Sequence, residues 1–239
     1  MSESSVNIKA EDDRIRAKYA RRNTRDSRYS WFNAGHVFML QERERRVLEL
    51  LRRAGVDSLD NRRILEIGCG QGFWLREFIK WGGKPENLTG VELLPERVEE
   101  ARRLSPHGVN VILGSAAQVP LPDGRFDLVL QSTVFTSIQD SAVKQQIAAE
   151  MLRLVRPDGL ILWYDFRVNN PWNPDVTGIR KAEALKLFSG CRVHLYPITL
   201  TPPIVRRLAR WSWLGCYLLG KMPWLCTHYL GVIRVVAPT

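Results

Sequence analysis

The sequence predicts an α/β domain, an open and mostly parallel sheet with helices on both faces. Three observations carry that expectation. The first is Ile64-Leu-Glu-Ile-Gly-Cys-Gly-Gln-Gly72, an apolar strand that runs straight into three glycines spaced two apart. The second is Glu92, an acid closing another apolar segment twenty residues after Gly72. The third is the alternation of short Ile/Leu/Val runs with helical patterns between residues 60 and 166. Those runs show little polar alternation, as strands buried on both faces do. Right-handed crossovers then place helices on both sides of the sheet. Strand, glycine turn, helix, strand and acid together form the first half of a nucleoside-binding unit.

Taken in order, residues 1–10 are polar and serine-rich and read as disordered. Glu11–Arg22 reads as a charged helix. After Tyr29-Ser-Trp-Phe-Asn33 a longer helix is expected from about His36 to Ala54. Its apolar positions Val37, Leu40, Val47, Leu48 and Leu51 recur at helical spacing, and Gly55 ends it. Residues 1–60 are thus a helical extension, and 61–239 the domain proper. The domain reads as strand Arg63–Ile67, helix Gln71–Trp81, strand Leu88–Glu92 and helix Pro95–Leu104, the last with proline in its first turn. Strands follow at Asn110–Leu113 and Phe126–Gln131, then helix Ser141–Val155 and strand Gly159–Asp165. Helix Lys181–Phe188 and strand Cys191–Thr199 lead to a helical insertion at about 202–224 and a last strand at about Tyr229–Val236.

The glycines have a mechanical purpose. Gly68, Gly70 and Gly72 let the backbone turn tightly at the sheet's carboxyl edge, with no Cβ blocking a close ligand. A carboxylate at Glu92 accepts hydrogen bonds from both hydroxyls of a ribose. The spacing separates ligand classes. In the dinucleotide fingerprint G-x-G-x-x-G the third glycine stands where this chain has Phe73. A phosphate-binding P-loop needs Gly-Lys-Ser/Thr, which is absent here.

These residues resemble the class I S-adenosylmethionine-dependent methyltransferases. Glu66-Ile-Gly-Cys-Gly-Gln-Gly72 resembles their first motif, and Gly90-Val-Glu-Leu-Leu94 their acidic second motif. Gly114-Ser-Ala-Ala-Gln-Val-Pro-Leu-Pro122 resembles the loop that brackets the adenine, and Phe126-Asp-Leu-Val-Leu-Gln131 their fourth strand. Met151 to Trp163, with Arg156-Pro-Asp-Gly159 inside it, resembles the helix and turn before the fifth strand. The resemblance covers roughly residues 60–166. It implies a Rossmann-like seven-stranded sheet in the order 3-2-1-4-5-7-6, an N-terminal helical lid and S-adenosylmethionine as cofactor. It further implies that Glu66 takes the methionine amino group and that the backbone of Gly68, Cys69 and Gly70, turning at Gly72, lies along the methionine and ribose. Glu92 then holds the ribose, Leu93 packs on adenine, and Ser115, Ala116 and Ala117 close the adenine edge. Gln131 and Ser132 face the methionine portion. The family's last two strands form a hairpin; this sequence departs by placing some twenty-five residues between them.

Composition is that of an ordinary globular chain: 239 residues, 45% hydrophobic and 25% charged, enough to bury a core. The four cysteines, Cys69, Cys191, Cys216 and Cys226, lack C-x-x-C spacing, so neither a zinc site nor a disulfide framework is expected. No metal cluster stands out. No signal-peptide core or run of eighteen apolar residues is present, and a cytoplasmic location is the default expectation. The net charge of +10 gathers in 14–28, 43–53 and 206–210. It fits solvated helix faces as well as it fits attraction to nucleic acid, anionic lipid or an acidic substrate. No recognition-helix or RNA-binding signature accompanies it, which argues against a nucleic-acid partner. The chain is expected to be a monomer or homodimer.

The acceptor is the harder question. In open α/β sheets chemistry gathers outside the carboxyl ends of the central strands. Here that means Ser132-Thr-Val-Phe-Thr136, with Thr133, and the polar, proline-stiffened segment after Asp165, with Arg167, Asn169 and Trp172. Tyr29, Trp31 and Phe32 are candidate lid residues, with packing against the core the alternative. No Asn/Asp-Pro-Pro-aromatic signature follows the fourth strand, which weighs against amide or exocyclic-amine methylation. A hydroxyl acceptor usually needs a base; Asp165 is the first choice, with His36 and His194 next. His107 falls in a turn away from the site, and His228 lies near the final strand. The insertion mixes Arg206, Arg207, Arg210, Trp211, Trp213, Tyr217, Lys221 and Trp224. It reads either as a cap on the sheet edge or as a membrane-surface contact. The expected reaction is methyl transfer to a small molecule, foremost a hydroxyl of a glycan or secondary metabolite. Carbon or nitrogen methylation of a quinone-like or polyketide-like acceptor, RNA methylation, and a cofactor-binding scaffold are the alternatives.

Overall fold

The computed structural model describes residues 3–21, 27–169 and 176–236. Helix α1 spans Glu3–Ala20 and α2 spans Ala34–Arg53. Strand β1 is Ile64–Ile67, followed by α3 (Phe73–Lys80), β2 (Leu88–Glu92), α4 (Pro95–Leu104) and β3 (Asn110–Leu113). Strand β4 is Phe126–Ser132, α5 is Ser141–Leu154, β5 is Val155–Phe166, α6 is Lys181–Leu187 and β6 is Cys191–Leu200. Two short helices, α7 (Pro202–Leu208) and α8 (Trp213–Leu219), precede β7 (Cys226–Val235). The strands form one sheet in the order β3-β2-β1-β4-β5-β7-β6. β3, β2, β1, β4 and β5 pair in parallel, and β7 runs antiparallel to both β5 and β6. The carboxyl ends of β1, β2, β4 and β5 therefore share one edge.

Both faces of the sheet are buried, which is why the strands carry little polar alternation. Leu65, Ile67, Val129, Ile161 and Trp163 pack on one face beneath Ile147, Ala148 and Met151 of α5. Their neighbours Ile64, Leu128, Leu130, Leu162 and Tyr164 pack on the other beneath Val47 and Leu51 of α2 and Leu75 and Phe78 of α3. Successive strand residues point to opposite faces, so Tyr164 and Asp165 look into different layers. A third, smaller cluster joins Phe38 of α2 to Val205, Ala209 and Cys216 of the insertion.

Several boundaries differ from the sequence expectation. Residues 3–10 belong to α1 rather than to a disordered tail. Ile8 and Tyr19 pack on the core and Ile15 is buried in it, so tertiary burial supplies the stability that the polar sequence lacks. Gly72 is the left-handed N-cap of α3, which puts Gln71 in the turn. β5 starts at Val155, and a register irregularity between Phe126 and Leu128 absorbs Arg156-Pro-Asp-Gly159. The insertion is two short helices rather than one helical stretch, because Ser212 caps a new helix by accepting from the Gly215 N–H.

Candidate functional site

The glycine turn and its two acids lie where β1 and β2 end. Gly68 has φ +67°, and a Cβ there would sit 2.5 Å from Val134 Cγ2, so both conformation and space require glycine. The turn is tied to β2 by Gly68 N and Cys69 N, which donate to Val91 O at 2.8 and 3.0 Å. Glu92 is buried and accepts from Gly70 N (2.8 Å) and Leu94 N (3.0 Å). It thus links the glycine turn to the start of α4. Glu66 is buried beneath the turn, and its Oε2 has no hydrogen-bond partner. Burial first, and the Glu92 charge second, raise its carboxyl well above the usual range. A buried, unsatisfied carboxyl at the mouth of a glycine turn is a site that accepts a cation.

Other residues at this edge divide by role. Cys69 points inward, close enough that a Cβ on Gly90 would meet its Sγ at 2.6 Å. Burial pushes the thiol far up, so only the backbone of Cys69 faces the turn's ligand side. Leu93 and Ala116 are partly buried against the core and Ala117 is buried in it. Ser115 Oγ donates to Asp12 of α1 (3.2 Å) and accepts from Ala117 N (3.3 Å). Gln131 is engaged in structure: its Oε1 accepts from Val134 N (3.0 Å) and its Nε2 donates to Tyr164 O (3.4 Å). It holds the loop after β4, and Ser132 contributes its carbonyl to Thr133 Oγ1 (2.7 Å).

Helix α1 lies across this edge. Glu11 accepts from Gln139 N (2.6 Å), Arg14 donates to Ser137 O (2.5 Å), and the Arg97 guanidinium stacks 4.3 Å from the Tyr19 ring centroid. Beside it opens a cavity of about 760 Å³. Its floor includes Thr133, Thr136, Tyr164, Phe166, Thr199 and His228, one wall is α2 with His36, Met39 and Arg43, and the other is Arg206 of α7. Thr133 (φ 59°) and Thr199 (φ 66°) are both left-handed, which β-branched residues rarely are. Tyr164 holds both: its carbonyl accepts from Thr133 N (2.7 Å), and its hydroxyl meets Thr199 Oγ1 (2.9 Å). Strain of this kind concentrates at functional sites.

The predicted acceptor residues scatter. Tyr29 and Trp31 set their rings edge-on to His36 at 5.8 and 6.1 Å; Tyr29 lines the cavity, whereas Phe32 is fully exposed. His36 lines the cavity, and burial, then Arg43 and Arg206, lower its pKa, leaving a neutral imidazole. Asp165 is wholly buried below the floor, bonded to Thr136 Oγ1 (2.5 Å) and Phe166 N (3.1 Å); burial raises it to about 7. Thr136 thus stands between Asp165 and the cavity. His194 is an exposed residue of the edge strand β6 and does not line the cavity, because its register opposite Val232 puts it far from the strand's carboxyl end. Arg167 is turned to Pro223 O (2.7 Å) and the Tyr229 ring, and Asn169 Oδ1 accepts from Gly178 N (2.9 Å), so both shape the loop. Trp172 lies outside the described residues.

Among the cavity residues, Arg43, Tyr164 and His228 were not singled out for the site in the sequence, and Arg206 was read only as part of the insertion. His228 reads as remote along the chain, yet register pairs it with Phe166, and its ring stacks on Tyr164 at 4.7 Å. Burial lowers it to about 3, so it too is neutral. Arg43 lay within a helix read for its apolar stripe and as one of several basic clusters, with nothing to say which cation turns inward. No group of three or more His, Cys, Asp or Glu among the described residues is placed to hold a metal ion.

Comparison with known proteins agrees with this geometry. A family model described as a methyltransferase domain matches residues 64–159. The chain is 33% identical over 115 residues to 2-methyl-6-phytyl-1,4-hydroquinone methyltransferase of Synechocystis, spanning 47% of this chain and 35% of that protein. It is 34% identical over 101 residues to malonyl-[acyl-carrier protein] O-methyltransferase of Serratia marcescens, spanning 42% and 36%. The chain therefore matches about a third of the length of these relatives. An S-adenosylmethionine-dependent methyltransferase from Mesorhizobium loti has the same fold, with TM-score 0.56 at 16% identity over 78% of this chain and 96% of that one.

Proposed function

We propose that this chain, which belongs to the class I S-adenosylmethionine-dependent methyltransferases, transfers a methyl group to a small-molecule acceptor. The observation that carries the proposal is Glu66, a buried carboxyl with one oxygen left without a partner, below a glycine turn whose backbone is locked to Glu92. These residues fit the cofactor. Glu66 meets its amino group, the backbone of Gly68 to Gly70 and Gly72 runs along it, Glu92 accepts from the ribose, and Leu93, Ser115, Ala116 and Ala117 border the adenine. The cofactor supplies a methyl group already made electrophilic by a sulfonium. The protein's task is to align an acceptor atom with the methyl–sulfur bond and to exclude water. Helix α1, crossing from Ser115 to Ser137, covers this edge. His36, part-exposed on the cavity wall, is the imidazole placed to take a proton from an acceptor, whereas burial makes His228 too weak a base for that role. Asp165 positions Thr136.

The acceptor we favour is an oxygen nucleophile on a small molecule with an apolar part. The cavity mixes apolar Met39, Leu40 and Phe166 with polar groups, and the relatives' names give a prenylated hydroquinone and an acyl-carrier-bound malonyl group. That weighs against the glycan among the hydroxyl acceptors. A second reading, that acceptors arrive from a membrane surface, is favoured by one observation. The insertion exposes Trp211, Leu214, Leu218 and Trp224 beside Arg207, Arg210 and Lys221. No described helix is long and apolar enough to cross a membrane. The four unpaired cysteines fit a reducing compartment, which supports the cytoplasm.

The test is calorimetric titration with S-adenosylhomocysteine. Micromolar binding by the wild type is expected, falling about a hundredfold in Glu92→Ala, the loss of two hydrogen bonds to a charged group. A folded wild type that binds no S-adenosylhomocysteine refutes the proposal.

A further inference from the structure

The cavity beside α1 has a one-sided charge. Arg14, Lys18, Arg21, Arg43 and Arg206 line it, and no aspartate or glutamate among the described residues does. Arg14 is paired with Glu11, but the two arginines on the far walls are not so balanced. Arg43 and Arg206 take part in no ion pair among the described residues, and each has a buried Nε without a hydrogen-bond partner. The Arg43 guanidinium lies 4.9 Å from the ring centroids of both Trp74 and Tyr164, and 5.5 Å from that of Phe73. Its position is fixed by these rings and by a hydrogen bond to Tyr164, which leaves Nε without a partner. The backbone of Arg206 is fixed against α2, so close that a Cβ on Gly35 would meet Arg206 Cα at 2.9 Å. His36 feels both cations. Glu66 feels Arg43 from the donor side without pairing with it.

Two part-buried guanidiniums with no ion pair among the described residues, each with a buried Nε left unpartnered, keep hydrogen-bonding capacity that an anion can use. We propose that this end of the cavity binds an anionic group of the acceptor, a carboxylate or phosphate carried beside an apolar body, with Arg43 and Arg206 as its counter-ions. The planar fork of each arginine matches two oxygens of such a group. Met39, Leu40, Phe166 and Pro202 supply the apolar wall next to it. The inference rests on the methyltransferase reading for the word acceptor; the anion site itself stands on the cavity alone.

Octanoate, octyl phosphate and octanol are the probes, titrated into the full chain with and without S-adenosylhomocysteine. The wild type is expected to bind at least one anion about tenfold or more tighter than octanol, the span of one or two charge-assisted hydrogen bonds. Whichever anion binds tighter identifies carboxylate or phosphate. Arg206→Gln and Arg43→Gln are expected to erase that preference while leaving octanol and S-adenosylhomocysteine affinities unchanged. Arg206→Lys keeps the charge and is expected to keep part of the preference, which separates charge from packing. Equal binding of octanol and both anions overturns the proposal, as does a preference that survives in the double glutamine variant. A loss of S-adenosylhomocysteine affinity in these variants with the anion preference intact also overturns it, and assigns the arginines to the donor's carboxylate. A wild type that prefers the anions but never binds S-adenosylhomocysteine refutes the methyltransferase reading and leaves the anion site standing.

Discussion

Glu66 shows how much a single side chain can state about its ligand. A carboxyl that is fully buried, beside a second carboxylate and short of a hydrogen-bond partner, keeps its proton well above the ordinary range. An arriving ammonium reverses that preference. Binding of S-adenosylhomocysteine near neutral pH is therefore expected to release up to about one proton per site as Glu66 ionises against the ligand's amino group. Titrations in buffers of different ionisation enthalpy measure this directly. The observed heat should change with the buffer in the wild type and lose that dependence in Glu66→Gln. Buffer-independent heat in the wild type sinks the assignment. Glu66 and Glu92 were both legible in the sequence, because each follows an apolar run at a fixed distance from the glycines. The local chain sets their positions. Arg43 and His228 were not, because each reaches the cavity through packing between elements that are distant in sequence.

At the scale of the element, α1 and the insertion carry the new information. The sequence announces α1 only from Glu11 onward and does not show what it packs on; the helix is held by contacts with Ser115, Ser137 and Gln139, more than a hundred residues away. The insertion was legible as helical and aromatic, but its direction of facing was not. The structure turns Phe38 edge-on to Trp213 at 5.6 Å and leaves Trp211 79% and Trp224 76% exposed. Trp213 thus seats the insertion, while Trp211 and Trp224 have no such duty. If the exposed rings meet a bilayer, co-sedimentation with vesicles containing anionic lipid should fall about tenfold or more in the Trp211→Ser/Trp224→Ser double variant, and the melting temperature should barely move. Equal sedimentation of variant and wild type removes the membrane reading.

For the whole molecule, the sheet order decides which ends meet, and one buried group inside it ties stability to pH. Asp165 has no exposed surface, and burial raises its pKa from 3.8 to about 7 despite hydrogen bonds from Thr136 and Phe166. As pH rises from about 4 to 7, the unfolded chain loses this proton while the folded chain keeps it. Folding stability contributed by this residue therefore declines across that window, by roughly 4 kcal/mol at most at about 1.4 kcal/mol per pKa unit. Urea midpoints measured from pH 5 to 8 should decline less steeply in Asp165→Asn than in the wild type. Parallel profiles exclude a proton on Asp165. The same burial explains why the residue reads as the leading base in the sequence yet sits under Thr136 in the fold. Strand periodicity aims it at the α5 layer, while the cavity opens above Tyr164 and Phe166.

The sequence by itself determined the sheet and the glycine turn with the two carboxyls beside it. Glycine turns, strand runs and the acid after the second strand are local signals, fixed by backbone sterics and by the short reach between neighbouring parallel strands. Only the tertiary structure decided the acceptor side. Its walls are α2, α7, the end of β7 and α1, brought together by burial of apolar faces that could be satisfied in several arrangements. Which of the cations on those elements turn inward is settled by packing, since exposed and inward-facing arginines follow the same helical spacing.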